Sequence, residues 1–160
     1  MSNETNFNFQ FETFSRDELS TEDTQLIVHA EAACDTAYAP YSQFTVGAAL
    51  LLANGEVVIG SNQENAAYPS GMCAERVALF NAASNHSKVK IKKIAITARK
   101  SDAAQYIDVT PCGSCRQVML EYEELQDDNI EVLFAVNGSW AKLTNTAVLL
   151  PFSFDKTSLK

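Results

Sequence analysis

Basic residues are scarce in this chain: twelve Lys and Arg stand against twenty Asp and Glu, a net charge of −8 over 160 residues. A dedicated polynucleotide binder needs a basic stripe to neutralise phosphates, and the sequence carries none. A small neutral ligand is not disfavoured by the same charge. Long apolar runs are missing as well. The longest clean one, Val46 to Ala53, falls far short of the ~20 residues that a membrane-spanning helix needs. No basic segment followed by an apolar one opens the sequence, so no export is expected. Cysteine is limited to four residues. Two disulfides are arithmetically possible, but a chain of this length can bury a core without staples. Thiolates on a metal, in a reducing cytoplasmic compartment, fit that scarcity better. Only four prolines and six glycines punctuate the sequence, with no repeat, low-complexity segment or linker, so a single domain follows.

Residues 1–19 read as a polar N-terminal extension ahead of a domain at 20–160. Phe7, Phe9 and Phe11 alternate with polar residues, a strand period; a short strand or extended arm packed on the body or on a neighbouring subunit, and a frayed terminus, are both compatible with it. Ser20 with Asp23 is an N-cap signal. Leu26, Ala30, Ala33, Cys34 and Ala37 then share one helical face until Pro40 bars continuation, giving a helix over roughly 21–38. Thr45 to Ala53 reads as a buried strand, and Asn54-Gly55 as a hairpin turn returning over 56–61. A loop over 62–72 leads to a helix from Cys73 to about Ala83. Ile91 to Ala98 is a strand, 113–125 a helix, and Ile130 to Val136 a further strand. Alternating strands and helices predict an α/β sheet covered on both faces.

The chemistry concentrates in Cys73-Ala74-Glu75-Arg76 and Pro111-Cys112-Gly113-Ser114-Cys115. Three soft ligands plus a carboxylate not needed as a ligand describe a catalytic zinc, which keeps one position open for water, rather than a structural zinc closed by four side chains. Cys112 and Cys115 can grip one ion from a single turn, and Cys73 supplies the third sulfur. Both segments fall at predicted helix starts, where unpaired N–H groups and the positive dipole end favour thiolates. Glu75, two residues past a ligand, can lean over the open position and serve as general acid–base. Three thiolates on Zn²⁺ leave a net charge of −1, which raises the pKa of a bound water. Arg76 is placed to offset this by donating to a ligand sulfur, with Arg116 beside Cys115 as a further candidate. Cys34 lies on an apolar helix face without ligand spacing and reads as core; His29 and His86 lack ligand spacing too.

A Cys-x-Glu followed by Pro-Cys-x-x-Cys is the pattern of zinc nucleobase deaminases, and the wider sequence resembles the small homotetrameric type of the cytidine deaminase family over roughly residues 26–154. Tyr41-Ser42-Gln43-Phe44-Thr45-Val46-Gly47-Ala48 resembles the family's Tyr-Ser-x-Phe-x-Val-Gly-Ala, Asn62-Gln63-Glu64-Asn65-Ala66 its Asn-x-Glu-Asn-Ala, and Leu149-Leu150-Pro151-Phe152-Ser153-Phe154 its Leu-Leu-Pro-x-x-Phe tail. Phe152 departs by replacing a small tail residue. The resemblance implies a three-layer α/β/α sandwich around a mixed sheet of about five strands, with residues 20–160 as one zinc deaminase domain. It implies one Zn²⁺ per chain on Cys73, Cys112 and Cys115, with Glu75 catalytic. It further implies that Asn62 and Glu64 hydrogen-bond the ribose, that Phe44 stacks on the pyrimidine, and that the Ala74 N–H meets the ring carbonyl. Phe154 would reach a neighbouring subunit's site in a homotetramer. The implied reaction turns cytidine or deoxycytidine and water into uridine or deoxyuridine and ammonia. Deamination of another aminopyrimidine nucleoside, and a zinc-stabilised nucleoside-binding module without turnover, are the rival readings; Glu75 argues against the last, because a pure binder needs no carboxylate beside an open zinc position. Neither nucleic acid nor membrane is expected as a partner.

Overall fold

The computed structural model describes residues 8–159. Its frame is a seven-stranded sheet with the strands β1 Glu12–Phe14, β2 Phe44–Leu52, β3 Val57–Ser61, β4 Ile91–Lys100, β5 Tyr106–Ile107, β6 Glu131–Val136 and β7 Ser139–Leu143. The order is β1-β7-β6-β4-β2-β3, with β5 paired to β4 beside this path. Only β4 and β6 run parallel; the other pairs are antiparallel. Among the described residues three α-helices cover the sheet: α1 Thr21–Ala33, α2 Ala74–Asn85 and α3 Gly113–Gln126.

The period of two along each strand sorts the core into two layers. Ala48, Leu50 and Leu52 of β2, Ile94 and Ile96 of β4, and Val132 and Phe134 of β6 point to the side of α2 and α3. The intervening Ala49, Leu51, Ala95 and Leu133 meet Leu26, Ile27 and Ala30 of α1 on the other face. Both faces are buried, which is why β2 reads as a continuous apolar run rather than an alternating one. The architecture is the expected three-layer α/β/α sandwich with a mixed sheet. The strand count differs from the expected five because two very short strands, β1 and β5, join the long ones.

Local boundaries shift for identifiable reasons. Ser20 caps α1, its Oγ accepting the Asp23 N–H at 3.0 Å, but α1 ends at Ala33 and not near residue 38. Cys34–Thr36 tighten into a 3₁₀ turn, with Thr36 Oγ1 donating to the Ala33 carbonyl at 2.9 Å. Asn54-Gly55 forms the anticipated hairpin turn, Gly55 taking φ +86°. A short N-terminal strand lies at Glu12–Phe14, where it pairs with Trp140–Lys142, and not on Phe9 or Phe11. Phe9 and Phe11 are partly exposed and stand near each other, ring centroids 5.3 Å apart; Phe7 lies outside the described residues.

One close approach aims α2 at the site. A Cβ on Gly60 of β3 would fall 2.4 Å from the Ala78 nitrogen and 2.5 Å from the Ala74 oxygen. Glycine therefore lets α2 lie directly on β3, bringing its N-terminus to the end of the sheet where β3 and β4 finish and β2 begins.

Candidate metal centre and substrate cleft

Cys73 is the N-cap of α2 and Cys112 the N-cap of α3, while Cys115 sits buried in the first turn of α3. Each N-cap has extended backbone geometry, which turns its side chain back over the helix start, where the N–H groups of the first turn lack intrahelical partners. The two helix starts face one another. Cys73 Sγ stands 3.8 Å from Cys112 Sγ, Cys112 Sγ 3.5 Å from Cys115 Sγ, and all three sulfurs lie within 4.8 Å of one another. Three sulfurs each ~2.3 Å from one ion at tetrahedral angles would stand about 3.8 Å apart. The donor set therefore fits zinc, and it supplies three ligands rather than the four of a closed structural site.

The electrostatics are those of a site made for a cation. The Cys115 thiol donating to Cys73 pulls the Cys73 thiol down to about 5, against burial and with help from Arg76. The same contact, with burial and the neighbouring Glu75 and Cys73 charges, pushes the Cys115 thiol up. One thiolate forms readily and holds the next proton in place; ionising all three calls for a positive ion among them. Arg76, in the first turn of α2, directs Nη2 at Cys73 Sγ, 3.6 Å away. Arg116 points elsewhere: its Nε donates to the Pro111 carbonyl at 2.8 Å and its Nη1 to the Leu149 carbonyl at 3.2 Å. The anticipated help from Arg116 to the sulfur charge is thus corrected. It ties the Cys112 loop to the tail.

Glu75 is only 4% exposed. Burial raises its carboxyl above the usual range, the Cys73 charge adds to that, and its own backbone N–H and the Cys115 thiol partly offset it. Its side chain lines a cleft of about 680 Å³ together with Cys73, Arg76, Phe44, Asn62 and Glu64. Ala74 is the first residue of α2, so its N–H is among those without an intrahelical acceptor. Asn62 and Glu64 are strapped to the opposite wall. Asn62 Oδ1 accepts the Val46 N–H at 2.8 Å and Nδ2 donates to the Phe44 carbonyl at 2.9 Å, which uses part of the amide's capacity on β2. Glu64 Oε2 accepts the Tyr41 N–H at 2.9 Å and the Ser42 N–H at 3.3 Å. The Ser42 side chain and then these N–H groups hold its carboxyl below the usual range, leaving a carboxylate whose Oε1 takes neither of the two N–H groups.

Phe154 stands apart from this constellation. It is 59% exposed, Gln117 Nε2 donates to its carbonyl at 2.7 Å, and it does not line the cleft of its own chain. The cleft also takes residues that sequence reasoning did not single out, among them Tyr41, Tyr68 and Thr110. Tyr41 and Tyr68 meet edge to face, centroids 6.1 Å apart. Tyr41 follows the proline that ends the first helical pattern and Tyr68 lies in the loop over 62–72, and neither position gave a hint that the two would converge.

The family model of the cytidine and deoxycytidylate deaminase zinc-binding region matches residues 20–127. The chain belongs to this family. Among curated members of it, the cytidine deaminase of Sporosarcina psychrophila is 38% identical over 135 residues, covering 84% of this chain and 93% of the relative. That of Halalkalibacterium halodurans is 49% identical over 98 residues, 60% of this chain and 68% of the relative. The crystal structure of the cytidine deaminase from Burkholderia pseudomallei superposes with a TM-score of 0.68 at 36% identity, covering 85% of this chain and all of that one. The zinc-binding region that defines this deaminase family includes all three cysteines and Glu75.

Proposed function

We propose that the protein catalyses the zinc-dependent hydrolytic deamination of cytidine and deoxycytidine, releasing ammonia and uridine or deoxyuridine. The observation that carries the reading is a buried carboxyl, Glu75, sharing one cleft with a cluster of three cysteine sulfurs. Cys73, Cys112 and Cys115 hold the zinc, which when bound supplies Lewis-acid activation of water near neutral pH. Glu75 accepts a proton from the attacking water and passes protons to the ring nitrogen and then to the departing amine. Its burial suits the task, because a carboxyl lifted toward neutrality both takes and returns protons. One water enters and one ammonia leaves, so atoms and charge balance without a further reactant.

The remaining residues bind and orient. Phe44 stacks on the pyrimidine, the Ala74 N–H donates to the ring carbonyl, and the Asn62 amide and Glu64 Oε1 take the ribose hydroxyls. Arg76 moderates the charge on the sulfurs. A nucleoside suits the cleft better than its 5′-phosphate: Glu64 and Glu75 are its acids, and Arg76, the one base lining it among the described residues, is turned toward Cys73. Polynucleotide is disfavoured on the same ground and by the net charge of −8. Among the described residues no helix is long and apolar enough to cross a membrane, and the free thiols suit a reducing cytoplasm. Residues 20–160 form the deaminase domain, with residues 1–19 an extension from which Glu12–Phe14 joins the sheet. Because Phe154 leaves its own cleft, it is assigned to the site of a second copy within a homotetramer.

Ultraviolet monitoring of cytidine with purified zinc-loaded protein tests the reading. Turnover that stops on chelation and returns with added zinc is expected, with deoxycytidine accepted and its 5′-monophosphate a poor substrate. Zinc-loaded protein inert toward cytidine would overturn it.

A further inference from the structure

Gln43 adopts φ +53°, a left-handed backbone that residues with a side chain rarely take. Its side chain is exposed and makes no hydrogen bond among the described residues, so whatever keeps Gln43 in this state acts on the main chain. Its N–H donates to the Ala39 carbonyl at 3.0 Å and its carbonyl accepts the Ser101 N–H at 2.9 Å. On one side of it, the Tyr41 and Ser42 N–H groups converge on Glu64 Oε2. On the other side, Phe44 and Val46 are clasped by the Asn62 amide. Tyr38 completes the seam, its N–H donating to the Asn62 carbonyl at 3.0 Å and its carbonyl accepting the Glu64 N–H at 2.8 Å. Two segments, 38–46 and 62–64, are thereby stitched along their length. The seam closes only if the chain reverses between Ser42 and Phe44, and Gln43 makes that reversal.

We propose that Gln43 is a positioning residue whose left-handed backbone sets the Glu64 carboxylate and the Phe44 ring at a fixed separation, and through them the affinity for the nucleoside. The proposal rests on the reading that Phe44 and Glu64 face substrate. Gln43 itself touches nothing that reacts; it acts through its neighbours' N–H groups, so its loss weakens binding and leaves the proton chemistry at Glu75 intact.

Steady-state kinetics on zinc-loaded protein test this. A β-branched residue resists positive φ most strongly, so Gln43→Val raises KM for cytidine about tenfold while kcat stays within about twofold, the signature of lost uniform binding. Gln43→Gly, which takes positive φ freely, keeps the wild-type KM. Combined with Glu64→Ala, Gln43→Val adds clearly less than its tenfold effect alone, because the part of that effect carried by Glu64 is already lost. Gln43→Ala, a milder version of the same strain, replaces the valine variant if that one does not fold, with KM raised about threefold. A wild-type KM in both strained variants overturns the proposal, as does a fall confined to kcat or an undiminished effect on top of Glu64→Ala. Wild-type protein without cytidine turnover instead overturns the functional reading itself, before any variant is made.

Discussion

The Arg76 guanidinium lies against Cys73, with Nη2 3.6 Å from Sγ. This places a permanent positive charge beside the sulfur of Cys73, the N-cap residue of α2. A site with three thiolates needs such a charge more than one with a neutral histidine ligand, since it offsets the excess negative charge around the ion.

Replacing Arg76 by Gln removes the charge and preserves most of the side chain's bulk. Zinc stays bound with affinity lowered about tenfold, within the range of changes next to a metal's ligands, and the pH–rate profile for cytidine shifts. Competition with a chromogenic chelator and a pH series check the two effects. An unchanged affinity with an unchanged profile would mean that Arg76 merely fills space.

Glu75→Gln keeps the shape of the side chain and its place at the start of α2 but cannot carry a proton. Zinc content and thermal midpoint stay close to the wild type, while turnover of cytidine falls about 10²- to 10⁴-fold. Elemental analysis alongside single-turnover kinetics separates loss of chemistry from loss of metal.

Phe154 lies outside its own chain's cleft and is largely exposed. Phe154→Ala lowers activity about tenfold, within the range for removing a base-stacking aromatic. When Phe154→Ala chains are reassembled with Glu75→Gln chains, activity exceeds the sum of the two parents, because one mixed pairing restores an intact site. Mixtures that are strictly additive would remove the idea of sites shared between copies.

Much of the site and frame was legible in the sequence because it is written in short spacings. Cys112 and Cys115 fall within one helical turn, and Glu75 follows Cys73 by two. Ser20 with Asp23 and Asn54-Gly55 carry their own local geometry. What escaped depends on contacts distant in the chain. β5 is two residues long, too short to show a period. β7 buries Trp140, Ala141 and Leu143, a pattern without clean alternation, although Asn137-Gly138 before it, with both residues at positive φ, is the same turn signal that located the first hairpin. Arg116 was misjudged by adjacency: a helix points neighbouring side chains in different directions, and this one faces the tail. The seam between 38–46 and 62–64 was invisible because main-chain N–H groups have no sequence signature.

An ionic cluster on the α1 face, built around the buried Asp23, contributes to the pH dependence of stability. Asp23, 2% exposed, accepts from Lys93 Nζ at 2.7 Å and Lys142 Nζ at 3.0 Å. Burial raises the Asp23 carboxyl, but hydrogen bonds from Lys93, Ser20 and Lys142 together carry it below its usual value. Burial likewise lowers Lys93, and Asp23 and Glu22 more than restore it, leaving it raised. A depressed carboxylate stabilises the fold above its unfolded pKa of ~3.9 and loses that contribution as pH falls through the lower folded value. A raised ammonium stabilises below its unfolded value of ~10.4 and loses it as pH rises through the folded one. The cluster's contribution is therefore level between about pH 4 and 10 and declines outside that window. Asp23→Ala costs about 2 kcal/mol at neutral pH by removing the buried acceptor shared by Lys93 and Lys142, Lys93 keeping Glu22 at 2.8 Å and Glu131 at 3.3 Å, and flattens the acid limb. Urea unfolding at several pH values measures both.

The sulfurs of the metal centre come from the starts of two different helices, and this ties the survival of the chain to the supply of its ion. The unfolded polypeptide offers no preformed pocket for zinc, so occupancy and helix docking rise and fall together by mass action. Each tenfold increase in free zinc above the dissociation constant deepens the native well by about 1.4 kcal/mol. Heat tolerance in a cell would then track zinc availability even where no nucleoside is present.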